Sequence, residues 1–391
     1  MNRNVVLLAL SQALVMTVVS LMLSASVVAS VGLSAAPGWA TLPLAMQYLA
    51  TMLALHPVAR LMARWGRRPV FAGAALVGAV GLALAAAGLA CGSFAVFAWS
   101  GLGVGVFGAA GQFYRFAAAE AVPAAARGQA VALTLAGGVL AAFLGPWIAV
   151  ATRDLGTTPF QVSFAVLAGL ALLAAGVAGL LRLPAPPAVA AGPAPRPLRR
   201  IARQADFRLA VAGAVVGYAV MALLMTATPL AMLCAGAPAD AGIAVIQWHL
   251  VAMFAPSFVT GLLVARLGLP ALMLLGALAL LAGIGVALAG EALVHFYVAL
   301  VLVGVGWNFL YVGATALLTQ TCRDAEKPAV QAFNDSAVFL SVTLATLFAG
   351  RLVDGLGWEK VNLLAAVPVA VLGLVLVAVL GRRRAGLARG A

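Results

Sequence analysis

Long apolar runs separated by short polar segments are the dominant pattern along this chain. Each run exceeds the roughly 20 residues that a helix needs to cross the hydrocarbon layer of a bilayer. The runs form two sets of six on either side of a segment rich in proline and alanine, which cannot continue a helix. We therefore predict twelve transmembrane helices, at 5–34, 40–63, 69–91, 94–121, 128–151, 159–182, 208–234, 240–266, 269–289, 294–320, 328–351 and 359–380.

This pattern divides the chain into three predicted parts. An N-terminal six-helix bundle covers 1–182, a solvent-exposed linker covers 183–207, and a C-terminal six-helix bundle with a basic tail covers 208–391. Nineteen of the 23 Lys and Arg residues fall on one side of the predicted membrane. Because cytoplasmic loops carry the excess of Lys and Arg, both termini and the linker are predicted to be cytoplasmic.

Composition narrows the class of protein. The chain is 65% hydrophobic and 8% charged, whereas about a quarter of the residues of a soluble domain are charged. The net charge of +13 is explained by the excess of Lys and Arg that cytoplasmic loops of membrane proteins carry. The basic residues therefore do not indicate a nucleic-acid partner. Three cysteines without a CxxC pair exclude a disulfide framework and a thiolate zinc site of the usual spacing. No nucleotide-binding loop follows a strand, so we expect neither an enzyme nor an ATP-driven pump.

A short repeat supports the division into two halves. Ala59-Arg-Leu-Met-Ala-Arg-Trp-Gly follows the second run, and Gly261-Leu-Leu-Val-Ala-Arg-Leu-Gly follows the eighth, 202 residues later. Gln129-Ala130 recurs as Gln331-Ala332 at the same offset. Internal repeats of this kind are typical of transporters built from two related bundles.

The six-plus-six arrangement, the cytoplasmic linker and the basic loop together resemble the major facilitator superfamily. The resemblance implies an all-α integral membrane protein with the major facilitator fold that works as a secondary transporter. It also implies a role in conformational change for the loop residues Arg64, Gly66, Arg67 and Arg68. Ala63 stands where the family usually has an Asp that helps to lock one conformational state.

Two pairs of soft donors lie near the middle of the predicted bilayer. Met221 and Met225 are four residues apart on the seventh run, and His249 and Met253 are four apart on the eighth. Each pair shares a helical face, and the two antiparallel runs bring them to similar depth. Thioether and neutral imidazole donors favour Cu(I), and the lack of a nearby carboxylate argues against Mg²⁺, Mn²⁺ or Ca²⁺.

This arrangement of donors resembles the CcoA-type copper importers of bacteria, which supply copper for assembly of cbb3-type cytochrome oxidase. The resemblance implies alternating-access import of copper, as Cu(I), across the bacterial cytoplasmic (inner) membrane. It implies that copper is the transported substrate and not a resident cofactor. It also implies that the protein is a monomer, with membrane lipid and a cytoplasmic copper chaperone as its partners.

Two alternatives to copper import remain open from the sequence. A carrier of an organic solute, such as riboflavin or a drug, would use the methionines to line an apolar cavity. A copper sensor or assembly partner would bind the metal without transporting it.

Weaker candidate residues lie toward the cytoplasmic ends of other runs. Met52 and His56 repeat the four-residue spacing and are a candidate secondary metal site, although a polar residue beside Pro57 explains His56 equally. Arg115, Glu120 and Asp335 are candidates for a gate or a proton-coupling relay, and structural contacts between helices are the alternative interpretation.

Overall fold

The computed structural model describes residues 2–34, 36–123, 126–183, 196–323 and 326–390. These residues form α-helices and the 3₁₀ turn Pro37–Trp39, joined by short connections. Most of the predicted linker, 184–195, lies outside the described residues.

The chain divides into two compact units. The first comprises Met1–Val189 and Pro238–Gln247, and the second comprises Ala190–Ala237 and Trp248–Ala391. Residues 238–247, the start of the predicted eighth helix, thus group with the N-terminal residues. Within the first unit, Arg153 Nη1 lies 2.7 Å from Asp240 Oδ1, which ties this short segment to the end of the fifth predicted helix.

Seven helices lie wholly in the first unit: α1 Arg3–Val31, α2 Leu42–Trp65, α3 Arg67–Ala90, α4 Phe94–Gly111, α5 Tyr114–Glu120, α6 Arg127–Thr152 and α7 Gln161–Gly179. The remaining described helices are α8 Leu198–Ile201, α9 Ala205–Cys234, α10 Ala239–Phe254, α11 Ser257–Leu267, α12 Leu269–Leu288, α13 Leu293–Gln320, α14 Lys327–Leu356 and α15 Trp358–Gly390. The helix α10 begins in the first unit and ends in the second. In the second unit, α9 packs against α13 and α14, and α12 packs against α13.

The predicted all-α membrane fold is confirmed. Eleven segments among the described residues are long and apolar enough to cross a membrane. The pair α10 and α11, bent by 42° at their junction, brings the number to twelve when it is counted as one span.

Two predicted helices are broken, and the linker ends differently from its prediction. The predicted helix 94–121 is interrupted after Gly111, where α4 ends and α5 begins at Tyr114. The predicted helix 240–266 is interrupted at Ala255 and Pro256, since Pro lacks an N–H and restricts the residue before it. The end of the predicted linker is helical, because α8 follows Pro197 and α9 already starts at Ala205.

The repeat found in the sequence corresponds to a repeated backbone turn. Gly66 joins α2 to α3 at φ +83°, and Gly268 joins α11 to α12 at φ +78°. Residues other than glycine are strained at such φ values. The two glycines are 202 residues apart, so the repeated loops share the same backbone conformation at this position.

Candidate functional site

The four predicted metal ligands all lie in the interior of the second unit. Met221 and Met225 on α9 are 1% and 2% exposed, and His249 and Met253 on α10 are 0% and 5% exposed. The helices around them are continuous, so each pair shares a face as the spacing predicts. Coordination of copper by these side chains stays a prediction.

The imidazole of His249 has a defined tautomer. Its Nδ1 lies 2.7 Å from the carbonyl oxygen of Leu300 on α13. A carbonyl oxygen only accepts hydrogen bonds, so Nδ1 carries a hydrogen, and in the neutral ring Nε2 then presents a lone pair. The buried Nε2 has no hydrogen-bond partner among the described residues. Because a buried acceptor without a partner is costly, this atom is a strong candidate for contact with a bound ligand.

A polar network that the sequence analysis missed surrounds the break between α10 and α11. Asn308 on α13 donates from Nδ2 to the Met253 carbonyl oxygen and to Ser257 Oγ, each at 2.7 Å. Its Oδ1 accepts from Thr260 Oγ1 at 2.8 Å. Asn308 therefore satisfies a backbone carbonyl that the break at Pro256 frees. The signal for this network in the sequence is Asn308, a lone Asn in the apolar tenth run, together with Pro256 inside the eighth run.

Four aromatic side chains meet between α9, α13 and α14. We call Tyr218, Trp307, Tyr311 and Phe339 the aromatic cluster. The rings of Trp307 and Tyr311 are nearly parallel, at 11°, with centroids 5.2 Å apart. Tyr218 meets both edge-on at 5.2 Å, and Phe339 lies 6.3 Å from Tyr218. Such offset and edge-to-face contacts are favourable geometries for aromatic rings.

The aromatic cluster combines a partly open surface with an unused donor. Tyr218 and Tyr311 are partly exposed, whereas Trp307 and Phe339 are buried. The buried Nε1 of Trp307 has no hydrogen-bond partner among the described residues. The sequence signal for this cluster is a Trp and a Tyr four residues apart on the tenth run, which places both rings on one face of the helix.

His249 and the aromatic cluster lie along one side of α13. Leu300, Gly304, Trp307 and Tyr311 fall within about 60° of one another around the helix axis, at roughly 100° per residue. A Cβ at Gly304 would lie 2.8 Å from the carbonyl oxygen of His249. The absence of a side chain at Gly304 therefore lets α10 approach α13 beside the cluster.

The candidate secondary metal site is more open. On α2, Met52 is partly buried and His56 is exposed beside Pro57, over which the helix continues. Within the described ranges, no group of three or more His, Cys, Asp or Glu side chains that could hold a metal ion is found. Among the described residues, Cys91, Cys234 and Cys322 form no disulfide. A second copper site at Met52 and His56 stays a prediction.

The acidic candidates make local contacts in each unit. Glu120 Oε1 lies 2.6 Å from Arg67 Nη2, and Arg67 also donates from Nη1 to the Phe113 carbonyl oxygen at 3.3 Å. These contacts join the start of α3 to the end of α5 and to the break between α4 and α5. Asp335 accepts from Asn334 Nδ2 at 3.2 Å, one helical turn before Phe339 of the aromatic cluster.

The basic candidates differ in exposure. Arg115 lies with its guanidinium carbon 4.9 Å from the centre of the Phe116 ring. Arg64 and Arg68 are exposed on either side of the turn at Gly66. Gating or proton coupling by Arg115, Glu120 or Asp335 stays a prediction, as does the conformational role of the basic loop.

Comparison with known proteins decides the family. The sequence profile of the Major Facilitator Superfamily matches residues 5–290. This chain belongs to the Major Facilitator Superfamily. The chain is 38% identical over 381 residues to the riboflavin transporter RfnT of Brucella anthropi. This match covers 96% of this chain and 94% of that protein. It is also 30% identical over 348 residues to the uncharacterized MFS-type transporter YdeG of Bacillus subtilis, with 84% and 80% covered.

Solved structures show the same fold at low sequence identity. The nucleoside transporter NupG superimposes with a TM-score of 0.71 at 14% identity, covering 97% of this chain and 99% of that one. A D-xylose-proton symporter superimposes with a TM-score of 0.69 at 17% identity, covering 94% and 96%.

These matches confirm some of the predictions made from the sequence and do not support another. The superfamily, the fold and the class of multi-pass membrane transporter are confirmed. The predicted membership of the copper-importer branch is not supported, because the relative that matches nearly the whole chain bears the name of a riboflavin transporter.

Proposed function

We propose that this protein is a secondary transporter that carries riboflavin, or a flat heteroaromatic solute of the same class, across the bacterial cytoplasmic membrane. The observation that carries the proposal is the aromatic cluster, with its stacked Trp307 and Tyr311 and the partly exposed Tyr218. The 38% identity to RfnT over nearly the whole chain supports the same class of solute.

The chemistry of the cluster suits a flavin. The isoalloxazine ring system is planar, uncharged and apolar on its faces, and its edges carry carbonyl and N–H groups. Aromatic side chains stack on such faces, and base–aromatic stacking of this kind contributes about 1–3 kcal/mol per ring system. The unused Nε1–H of Trp307 lies in the plane of the indole, so it can donate to a carbonyl or hydroxyl oxygen of the solute beyond the face on which rings stack.

The test is uptake of labelled riboflavin by a bacterium that can neither make nor import it without this protein. Trp307→Leu is expected to lower uptake at least about tenfold, because 1.4 kcal/mol of lost stacking is a factor of ten. Trp147→Leu is the matched control, since Trp147 is 66% exposed on α6 and far along the chain from the cluster. Equal uptake by the two variants at equal protein level would contradict the proposal.

Copper import is the second candidate function, and the geometry of His249 favours it. A ring N–H bonded to a backbone carbonyl, with the other nitrogen free, is the usual arrangement of a metal-ligating histidine. Met221, Met225 and Met253 would supply soft thioether ligands. Met225→Leu separates the candidates: it should abolish accumulation of radioactive copper if copper is the substrate, and it should leave riboflavin uptake intact if a flavin is. A copper sensor would bind the metal and accumulate none.

A further inference from the structure

Two buried polar atoms with unmet hydrogen-bonding capacity lie where α10 meets α13: Nε1 of Trp307 on α13 and Nε2 of His249 on α10. Trp307 Nε1 can only donate, and His249 Nε2, with the hydrogen held on Nδ1 by Leu300, can only accept. Neither atom has a hydrogen-bond partner among the described residues. Both N–H groups of the neighbouring Asn308 are used at the α10–α11 break, so its amide has no donor left for a ligand.

The spacing of Leu300, the contact of His249, and Trp307 along the axis of α13 matches the length of the solute class. His249 meets α13 at Leu300, and Trp307 lies seven residues further along, which is roughly 10 Å at 1.5 Å per residue. Three fused six-membered rings are about as long as this interval. A ring system stacked on the aromatic cluster can therefore extend one polar edge toward His249.

We infer that His249 is a specificity-determining residue that recognises a ring imide N–H of the solute through its Nε2. This inference rests on the proposed function. The imide of a flavin is a donor flanked by two carbonyls, so an obligate acceptor at Nε2 selects it over ring systems whose edge lacks a hydrogen. Leu300 acts as a positioning group, because its carbonyl holds the hydrogen on Nδ1 and keeps the lone pair on Nε2.

The inference is tested by comparing uptake of riboflavin with uptake of 3-methylriboflavin, in which a methyl group replaces the imide hydrogen. Sites built to hydrogen-bond a substrate N–H strongly reject analogues that lack it. We expect the wild-type protein to prefer riboflavin by at least about tenfold, the effect of one lost hydrogen bond to a buried acceptor.

Two substitutions separate recognition from structure. His249→Asn places an amide nitrogen near the position of Nδ1, so it can still donate to Leu300, yet it has no atom at the position of Nε2. We expect this variant to lose the preference between the two solutes. His249→Gln carries its amide group to the position of Nε2 and can present an acceptor there, so it should retain part of the preference.

The possible outcomes are distinct. Equal uptake of both solutes by the wild type, or an unchanged preference in His249→Asn, overturns the inference and leaves the proposed function in place. A wild-type protein that accumulates copper and no riboflavin overturns both. If His249→Asn does not reach the membrane, the wild-type preference together with its retention in His249→Gln decides the question.

Discussion

At the scale of residues, the sequence predicted which side chains are buried better than it predicted what they contact. His249 and the three methionines were expected in the membrane interior, and all four are buried. The partner of His249, however, is a carbonyl 51 residues away on another helix. Such a contact depends on tertiary packing, which spacing along one helix does not specify.

The spacing of the methionines did not distinguish a metal site from apolar packing. Methionine packs as a flexible apolar side chain as readily as it binds copper. Met221 and Met225 therefore fit an apolar cavity as well as a metal site. The aromatic cluster was missed because its four rings come from three helices, and only Trp307 and Tyr311 are neighbours in the sequence.

Replacement of Asn308 tests the network at the α10–α11 break. Asn308→Leu would leave the Met253 carbonyl without its side-chain donor, and it would remove the contacts with Ser257 and Thr260. We expect a loss of roughly 2–3 kcal/mol, seen as a lower Tm of the purified protein. Ser257→Ala removes one bond of the same network and should cost about 1 kcal/mol. Similar Tm values for Asn308→Leu and wild type would show that the network is not stabilising.

At the scale of elements, hydropathy placed the helices within a few residues but did not locate their breaks. Pro57, Pro146, Pro229 and Pro368 lie inside continuous helices, whereas Pro256 lies at a break. A proline alone therefore does not decide the outcome. A break in a membrane helix requires partners for the freed backbone groups, and at Pro256 the Met253 carbonyl finds one in Asn308 on another helix.

Glycine at position 304 is predicted to control the approach of α10 to α13. In Gly304→Ala the new Cβ would lie 2.8 Å from the His249 carbonyl oxygen and 3.0 Å from the Ala252 Cβ. We expect overpacking to cost roughly 1–3 kcal/mol, together with reduced uptake because His249 shifts. Gly285→Ala in α12 is the control, since its Cβ meets nothing within 4 Å. A Tm of Gly304→Ala at or above that of this control would exclude a tight contact.

At the scale of the whole molecule, the repeat and the charge distribution were enough to predict the family, because these properties are spread over the entire chain. The solute was harder to predict, since a few side chains in one unit determine it. The linker was predicted to be exposed to solvent, yet Arg196 near its end binds the buried carboxylate of Glu326. Glu326 is 1% exposed and accepts from Arg196 Nε and Nη2, each at 2.7 Å.

This linker contact should stabilise the second unit over a wide pH range. Hydrogen bonds from Arg196 hold the pKa of Glu326 well below its usual range. A carboxyl group whose pKa is lower in the folded state contributes stability above its unfolded pKa and loses it as pH falls through the folded pKa. Glu326→Gln should therefore lower the Tm throughout pH 5–8, and the difference from wild type should shrink at more acidic pH. A difference that grows on acidification would contradict the assignment.

The most direct test of the central claim is counterflow with the purified protein in liposomes. Vesicles loaded with unlabelled riboflavin are diluted into labelled riboflavin, and entry of the label is followed; uptake of radioactive Cu(I) is measured in parallel. We predict rapid entry of labelled riboflavin, loss of that entry in Trp307→Leu, and no accumulation of copper. Accumulation of copper without entry of riboflavin would contradict the account.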